Sequence, residues 1–214
     1  MEKKKIITYQ LICIALMVVV LVLALQTPDK NEKTESKTIS NQEVVLSVIH
    51  NRKSVRNFIP QKKVSKENLT TLVKAGMAAP TAVNKQPWAF VAITERTTLD
   101  SLAEGLPYAK MLKEAGAAII VCGDLTKAIE EYPEYWVQDC SAATENILLA
   151  VEVMGLGAVW TAVYPDKDRV EFVKNILDLP ETAIPLNVIP IGHPSGETMP
   201  KDKWKEENLH WENW

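Results

Sequence analysis

The apolar run Ala117–Cys122 constrains this chain more than any other segment. Its six consecutive apolar residues are typical of a strand that is buried at the centre of a sheet. Further apolar runs predict strands at Ala89–Thr94, Ala158–Ala162 and Leu186–Ile191. Helical segments separate these strands without the regular alternation of a doubly wound fold, so their order predicts an α+β domain.

Local signals indicate where the helices begin and end. Ser40 and Glu43 form the pattern of a capping box, and Ser65 and Asp166 are candidate N-caps. Gly155 is expected to end the longest helix. The predicted helices begin after Ser40, Ser65 and Asp166, and two more cover Leu99–Leu106 and Tyr135–Met154.

The composition is that of one folded domain. The 214 residues are 47% hydrophobic and 24% charged, and the net charge of −3 gives no reason to expect nucleic-acid binding. The three cysteines and three isolated histidines form neither a disulfide framework nor a pattern of metal ligands, so no metal site is predicted. The chain lacks the glycine-rich motifs of P-loop and Rossmann proteins and the serine and zinc motifs of common hydrolases.

The N-terminal segment has the composition of a membrane anchor or a signal peptide. Lys3, Lys4 and Lys5 precede the mostly apolar run Ile6–Leu25, whose length suits either. No convincing cleavage site follows, which favours an uncleaved anchor over a secreted protein. Because the lysines should stay in the cytoplasm, the remainder is expected on the extracytoplasmic side of a membrane. The predicted division is an anchor or signal segment at residues 1–26, a polar linker at 27–41 and a folded domain at 42–214.

Three polar clusters lie where helices begin or end. The segment Arg52–Phe58 carries three cations and a hydroxyl, which can hold a phosphate and leave a cation for another group. The segment Ala79–Trp88 contains two prolines that fix a loop rich in hydrogen-bonding side chains. Lys201 and Lys203 form a basic pair near the C-terminus. Taken singly, each cluster is also compatible with a solvated helix end, an ordinary connection or a solvated tail.

In their order along the chain, these segments resemble the nitroreductase family. Arg52–Phe58 matches the family pattern R-[RHK]-S-x-[RK]-x-F, and Ala79–Trp88 matches its loop A-P-[ST]-x-x-N-x-Q-P-W. The further matches are Lys110-Met111-Leu112, Asn146, Gly155-Leu156-Gly157 and Pro190–His193 with the basic pair after it. The resemblance spans about residues 44 to 214. It implies an α+β fold that binds FMN, with a central, mostly antiparallel sheet flanked by helices, in an intertwined homodimer.

The resemblance also assigns roles to residues of this chain. Toward the phosphate and ribityl chain of FMN it places Arg52, Lys53, Ser54, Lys201 and Lys203. Toward the pyrimidine edge it places Arg56 and Lys110. Along the ring, with a backbone N–H near N5, it places Trp160, Thr161, Ala162 and Val163. Toward the FMN bound chiefly to the other subunit it places Pro80, Thr81, Ala82, Asn84 and Gln86. Where some relatives have Asn and Glu, this chain has Pro107 and Ala162, a difference expected to affect the acceptor more than FMN.

The implied activity needs no catalytic side chain. Reduced flavin carries negative charge near N1 and C2=O, so a fixed cation there favours the reduced form. The resemblance implies an oxidoreductase that passes electrons from NAD(P)H through FMN to a small acceptor, such as a nitroaromatic or a quinone, by a ping-pong mechanism.

The helix Tyr135–Met154 would form the dimer seam, and Trp204–Trp214 would wrap the partner. Two alternatives stay open: a reductive dehalogenase or flavin-fragmenting enzyme, and a flavin electron-relay or sensor protein without turnover.

Overall fold

The computed structural model describes residues 15–18, which are helical, and residues 40–214. The chain divides into two compact units, Met1–Glu43 and Val44–Trp214. Among the described residues, no helix is both long and apolar enough to cross a membrane. This finding overturns the predicted localisation, a domain held at a membrane on its extracytoplasmic side. Most of the predicted anchor and linker, at residues 1–26 and 27–41, lies outside the described residues.

From residue 40 onward, the chain forms five α-helices and five strands. The helices are α1 Asn41–Asn51, α2 Lys66–Met77, α3 Arg96–Gly105, α4 Tyr135–Val153 and α5 Lys167–Leu177. The strands are β1 Trp88–Ile93, β2 Ala117–Asp124, β3 Gly157–Ala158, β4 Thr161–Ala162 and β5 Ala183–Gly192. Short 3₁₀ turns cover Ala82–Asn84, Lys110–Lys113 and Glu206–Asn208. Each predicted helix is present, with ends shifted by a few residues.

The sheet is antiparallel and lies between two helical layers. Its strand order is β1-β2-β5-β3, and β4 also pairs with β5. Strand β2 is buried along nearly its whole length, as its apolar run predicts. Ile119 and Val121 of this strand pack with α2 and α4, whereas Ile120 and Cys122 pack with α3 and α5. The predicted α+β fold with an antiparallel sheet flanked by helices is therefore confirmed.

The predicted strand Ala158–Ala162 is interrupted. It is observed as the two short strands β3 and β4, with Val159 and Trp160 between them. Both strands keep one register on β5, in which Val159 would lie opposite Pro190. Proline has no N–H to donate to a ladder, so the gap lies where β5 lacks a donor. Among the backbone hydrogen bonds of residues 40–214, none is donated by Val159 or Trp160.

The predicted capping signals are confirmed. The Glu43 N–H donates to Ser40 Oγ at 3.2 Å, and the Ser40 N–H donates to Glu43 Oε2 at 2.9 Å. Ser65 and Asp166 each accept the backbone N–H three residues later, at 3.1 and 3.2 Å. Gly155 follows α4 with a φ of 64°, in the left-handed region that glycine adopts without a steric penalty. The turn at Gly155 leads the chain from α4 into β3.

Two apolar surfaces are exposed on the described chain. Helix α1 buries no residue, and two of its apolar residues, Val45 and Ile49, are 58% and 48% exposed. Residues 201–214 are all exposed, including Trp204, Trp211 and Trp214. The structure is that of a single chain, so the homodimer that would cover these surfaces stays a prediction.

Candidate functional site

A first cavity, which we name the Lys110 cavity, has a volume of about 440 Å³. It is lined by Arg56, Pro107, Tyr108, Lys110, Met111, Val159, Trp160, Thr161 and Ala162. The ammonium Nζ of Lys110 donates to the carbonyl of Glu104, in the last turn of α3, at 3.2 Å. The last carbonyls of a helix have no partner within the helix and carry partial negative charge, so this helix end holds the ammonium in place.

A second cavity, the Arg52 cavity, has a volume of about 680 Å³. It is lined by Ile49, His50, Asn51, Arg52, Pro200, Lys201, Asp202, Lys203 and Trp204. The structure thus brings the predicted cations Arg52, Lys201 and Lys203 together from the two ends of the domain. Asp202 is the one carboxylate in this lining, and its Oδ1 accepts the Trp204 N–H at 3.0 Å. Three cations against one carboxylate leave a positive balance that suits a phosphate.

Core contacts fix the backbone between the two cavities. Val55 is 2% exposed, and its N–H donates to the carbonyl of Ala158 in β3 at 2.8 Å. Phe58 is 1% exposed and is part of the core beneath α3 and α5. Ser54 and Arg56 flank the buried Val55 and are more exposed than it is. The extended segment therefore buries its apolar side chains and leaves its polar ones outside the core.

Two ion pairs join this segment to α4. Arg52 Nε lies 3.2 Å from Glu145 Oε1, and Lys53 Nζ lies 2.7 Å from Glu152 Oε1. The contact through Nε leaves the two terminal nitrogens of the Arg52 guanidinium for other partners. Lys53 and the half-buried Ser54, both predicted cofactor residues, line neither cavity.

The loop that was predicted to reach the other subunit lies outside both cavities. Thr81 and Ala82 are half-buried, whereas Asn84 and Gln86 are exposed. Gln86 donates through its Nε2 to Asn84 Oδ1 at 3.0 Å and through its backbone N–H to Thr81 Oγ1 at 3.1 Å. The single chain therefore does not bring these predicted residues to its own cavities: Pro80, Thr81, Ala82, Asn84 and Gln86.

The predicted ring-binding strand is only partly available to a ligand. Trp160, Thr161 and Ala162 line the Lys110 cavity, and Val163 does not. Val163 is 1% exposed, and its N–H donates to the carbonyl of Leu186 in β5 at 3.0 Å. The sheet thus engages the amide of Val163, while the amides in the gap between β3 and β4 are not bonded to it.

Cys122 and Cys140 are free and buried. Burial raises the pKa of the Cys122 thiol to about 12. Burial also raises the pKa of Cys140, with smaller contributions from Cys122 and Asp139. Both groups are therefore neutral thiols near pH 7 and are poor nucleophiles. Within residues 15–18 and 40–214, no three His, Cys, Asp or Glu side chains are grouped so that they could hold a metal ion.

Sequence reasoning missed several residues of the site. The Lys110 cavity has three lining residues that were not predicted: Tyr108, Met111 and Val159. Tyr108 and Met111 lie within two residues of Lys110 in the sequence. An aromatic side chain so close to a predicted cofactor residue was the signal that could have identified this part of the lining. Asp139 recurs at helical spacing with the buried residues of α4, which marks it as a polar residue on a core face. No local pattern marks Glu145, because its partner is remote in the sequence.

Comparison with known proteins supports the resemblance. The model of the nitroreductase family matches residues 49–108 and 96–193. A Methanothermobacter thermautotrophicus protein with the provisional name NADH dehydrogenase/NAD(P)H nitroreductase is 42% identical over 170 residues, which are 79% of this chain and 87% of that protein.

Solved structures show the same fold. A crystal structure from Parabacteroides distasonis, of a protein with the same provisional name, is 50% identical with a TM-score of 0.76, over 82% of this chain and 100% of that chain. A protein provisionally named a nitroreductase, from Desulfovibrio desulfuricans and in complex with FMN, is 27% identical with a TM-score of 0.67, over 79% of this chain and 97% of that chain. The family match and these relatives confirm what the ordered motifs indicate: this chain belongs to the nitroreductase family.

Proposed function

We propose that this protein is an FMN-dependent oxidoreductase that takes electrons from NAD(P)H and passes them to a small acceptor, such as a nitroaromatic or a quinone. The observation that carries this proposal is that Arg52 lines one cavity and Arg56 lines the other. The two Cα atoms are at most about 14 Å apart, because an extended chain spans about 3.3–3.6 Å per residue. FMN has a phosphate and an electron-accepting ring joined by a short chain, so it offers one group to each cavity.

The donors of the Arg52 cavity fit the phosphate. Arg52 offers its two terminal nitrogens in a planar fork, whereas Lys201 and Lys203 each offer a compact point charge. Ser54, two residues beyond Arg52 in the same segment, is proposed to contact the ribityl chain. Lys53 is held by a carboxylate of α4, and its proposed contribution is to fix the position of this segment.

The cations of the Lys110 cavity fit the pyrimidine edge of the ring. When bound, FMN supplies a hydride acceptor at N5 and stores two electrons. Arg56 and Lys110 would stabilise negative charge on the ring, and Lys110 would do so without having to move, because the end of α3 already fixes it. This arrangement needs no side chain that acts as a general acid or base.

The gap between β3 and β4 is the proposed source of the backbone donors near N5. The amides of Val159 and Trp160 are not bonded to the sheet, and both residues line the Lys110 cavity. Trp160, Thr161 and Ala162 would form the wall beside the ring, and Val163 would hold the end of this wall against β5.

Donor and acceptor are proposed to use one face of the ring in turn. The Lys110 cavity, of about 440 Å³, lies in the range of about 300–1,000 Å³ that is typical of sites for a single small molecule. A flavin ring would occupy much of it, so the nicotinamide and the acceptor would have to share the space that remains. Alternating occupation of this kind gives ping-pong kinetics.

The functional unit is proposed to be a homodimer formed through the domain at residues 42–214. The apolar face of α1 and the tryptophans of residues 201–214 are exposed on the described chain and offer surface for a second copy. The loop Thr81–Gln86 lies outside both cavities of its own chain, which supports its assignment to the site of the other subunit.

Purification and steady-state kinetics test the proposal. We expect a yellow homodimer with one FMN per chain and parallel lines in double-reciprocal plots of NAD(P)H oxidation at several acceptor concentrations. A colourless protein that takes up no FMN on reconstitution would contradict the cofactor assignment. A protein that retains FMN but turns over no acceptor would favour an electron-relay or sensor role.

A further inference from the structure

We propose that Asp139 is a positioning residue, which holds the loop Thr81–Gln86 in the shape that completes the FMN site of the partner subunit. The inference rests on the proposed function and the proposed dimer. It adds a residue of α4 to the elements that the site requires.

The burial of Asp139 needs an explanation. The residue is 6% exposed, and its Oδ1 accepts the backbone N–H of Ala82 at 2.9 Å. None of the ion pairs among the described residues includes it. Removing a carboxylate from water is costly, and an apolar side chain of similar volume would commonly serve core stability as well or better. We therefore attribute the presence of a buried carboxylate at this position to its contact with the Ala82 N–H.

The loop has a shape that its own residues do not favour. Val83, Asn84 and Gln86 have φ angles of 42°, 57° and 51°, in the left-handed region. This region is unfavourable for residues other than glycine, and a β-branched residue such as Val83 adopts it rarely. An outside contact is therefore needed to keep this shape populated.

Asp139 provides that contact. Of the hydrogen bonds made by Thr81–Gln86 in the described chain, the bond from Ala82 to Asp139 is the one that reaches a residue outside the loop. The other bonds join loop residues to one another. The orientation of the loop relative to the core thus depends on one carboxylate oxygen.

Helix α4 thereby holds two separate elements of the proposed sites. Through Glu145 it contacts Arg52, which lines a cavity of its own chain. Through Asp139 it contacts the loop that is proposed to reach the partner's cofactor. One rigid helix would therefore fix the spacing between a phosphate-binding cation of one site and the loop that completes the other.

The test compares Asp139→Ala with Asp139→Asn in the full-length protein, by the dissociation constant for FMN measured from flavin fluorescence. We expect Asp139→Ala to weaken FMN binding by about ten-fold or more, since a charge-assisted hydrogen bond that holds the loop is lost. Asp139→Asn should restore the affinity to within about three-fold, because its amide oxygen can still accept the Ala82 N–H. Equal losses in both variants would overturn the proposal.

Two controls separate positioning from general stability. Asp124→Ala removes a carboxylate that accepts the Thr126 N–H at 3.1 Å in a turn the proposal does not use, and it should leave FMN affinity unchanged. Val151→Ala creates a cavity on the buried face of α4 and should lower the melting temperature without lowering FMN affinity. If Val151→Ala weakens FMN binding as much as Asp139→Ala does, the effect is one of stability and the proposal fails.

Mixed dimers test the assignment to the partner. The test uses a dimer of one Asp139→Ala chain and one Arg52→Ala chain. If Asp139 acts on the site of the partner subunit, both defects fall in one FMN site and the other FMN site carries neither. Half of the FMN sites should then bind with wild-type affinity. If Asp139 acts on the site of its own chain, each site carries one defect, no site is intact, and the assignment is overturned.

Hydrogen exchange distinguishes failure of this inference from failure of the proposed function. In the apoprotein, the Ala82 amide should exchange faster in Asp139→Ala than in wild type, whether or not FMN binds. Unchanged exchange at Ala82 would overturn the role of Asp139 itself. Wild-type protein that binds no FMN would instead overturn the proposed function, and with it the role of the loop in a flavin site.

Discussion

The segment Arg52–Phe58 and the loop Thr81–Gln86 both match family motifs, but different forces fix them. The first is held by buried apolar side chains, and its backbone is bonded to β3. The second is largely exposed, contains three residues with positive φ, and is tied to the core through a single carboxylate. The first is thus shaped by the core that the whole domain shares, and the second by a contact that one substitution can remove.

This difference predicts different effects of substitutions in the two regions. Truncation of the buried apolar side chains of the first segment should destabilise the domain, because these side chains are part of the core, whereas its polar side chains are proposed to bind FMN. Substitutions in the second should change cofactor binding while leaving the fold intact, because little apolar area is buried there.

The largest expected effect comes from truncating one apolar side chain in each region. Phe58→Ala, at a site that is 1% exposed, should lower the free energy of unfolding by about 3–5 kcal/mol. Val83→Ala, at a site that is 78% exposed, should not lower it, because little apolar area is lost and alanine lacks the β-branch that makes the φ of 42° unfavourable. Urea unfolding followed by tryptophan fluorescence measures both. A comparable loss of stability in Val83→Ala would show that the loop is buried in the assembled protein and would contradict the distinction between the two regions.

The stability of the core beneath the loop should fall at alkaline pH. Cys140 Sγ contacts the carbonyl of Pro87, just after the loop, and burial raises the pKa values of both Cys140 and Cys122. A raised thiol pKa means that the unfolded state releases its proton first, so stability is present below the unfolded pKa and is lost as pH rises above it. The loss should approach about 1.4 kcal/mol per thiol for each pH unit above roughly 8.5.

Urea unfolding between pH 8 and pH 10 measures this loss, with Cys140→Ala as the control. Removing one of the two thiols should make the loss of stability with pH less steep. An unchanged pH dependence in Cys140→Ala would show that this thiol already ionises normally in the folded protein.

A smaller effect is expected at the ring end of the core-held segment. Arg56→Ala or Lys110→Ala should lower the two-electron reduction potential of bound FMN, because a cation near the reduced ring is lost. A charge-assisted contact of about 1–3 kcal/mol corresponds to roughly 20–60 mV. Spectroelectrochemical titration measures the potential. Ser54→Ala is the control from the same segment, and it should weaken FMN retention with little change in potential; unchanged potentials in both cation variants would place these residues away from the ring.

The smallest effect concerns the ion pairs that tie this segment to α4. Glu145→Gln should weaken FMN binding by less than about five-fold, because the Glu145 side chain is 49% exposed and exposed ion pairs contribute about 0–1 kcal/mol. Glu152→Gln is the matched comparison, and it should weaken FMN binding less than Glu145→Gln does, because its partner Lys53 lines neither cavity and acts only on the position of the segment. Titrations at low and high salt measure both variants, and equal effects on FMN affinity would remove the distinction between Arg52 and Lys53.

The sequence predicts those features whose cause lies close by in the chain. The caps at Ser40, Ser65 and Asp166 and the buried strand at Ala117–Cys122 depend on neighbouring residues, and the structure has them. The gap between β3 and β4 was not predicted, because it depends on Pro190 in another strand. The apolar composition of the N-terminal residues led to a localisation that the structure does not support.

The site was predicted through the resemblance and not through spacing. Arg56, Lys110 and Trp160 share one cavity, and Arg52 shares another with Lys201 and Lys203, although nothing local brings them together. The contact between Ala82 and Asp139 joins residues 57 positions apart, and no periodic pattern reveals it. The predicted loop residues lie outside the cavities of their own chain, so their assignment depends on a second chain.

Pro190 interrupts the sheet beside the lining of the Lys110 cavity. With an N–H at this position, β5 could donate to the carbonyl of Val159 and join β3 and β4 into one continuous strand. Because proline has no N–H, this bond does not form, and within residues 40–214 the backbone of Val159 and Trp160 makes no hydrogen bond with the sheet before a ligand enters. No sheet hydrogen bond then has to break on binding, which lowers the cost of binding. A residue with an N–H at position 190 should therefore give a more regular sheet and a poorer binding site.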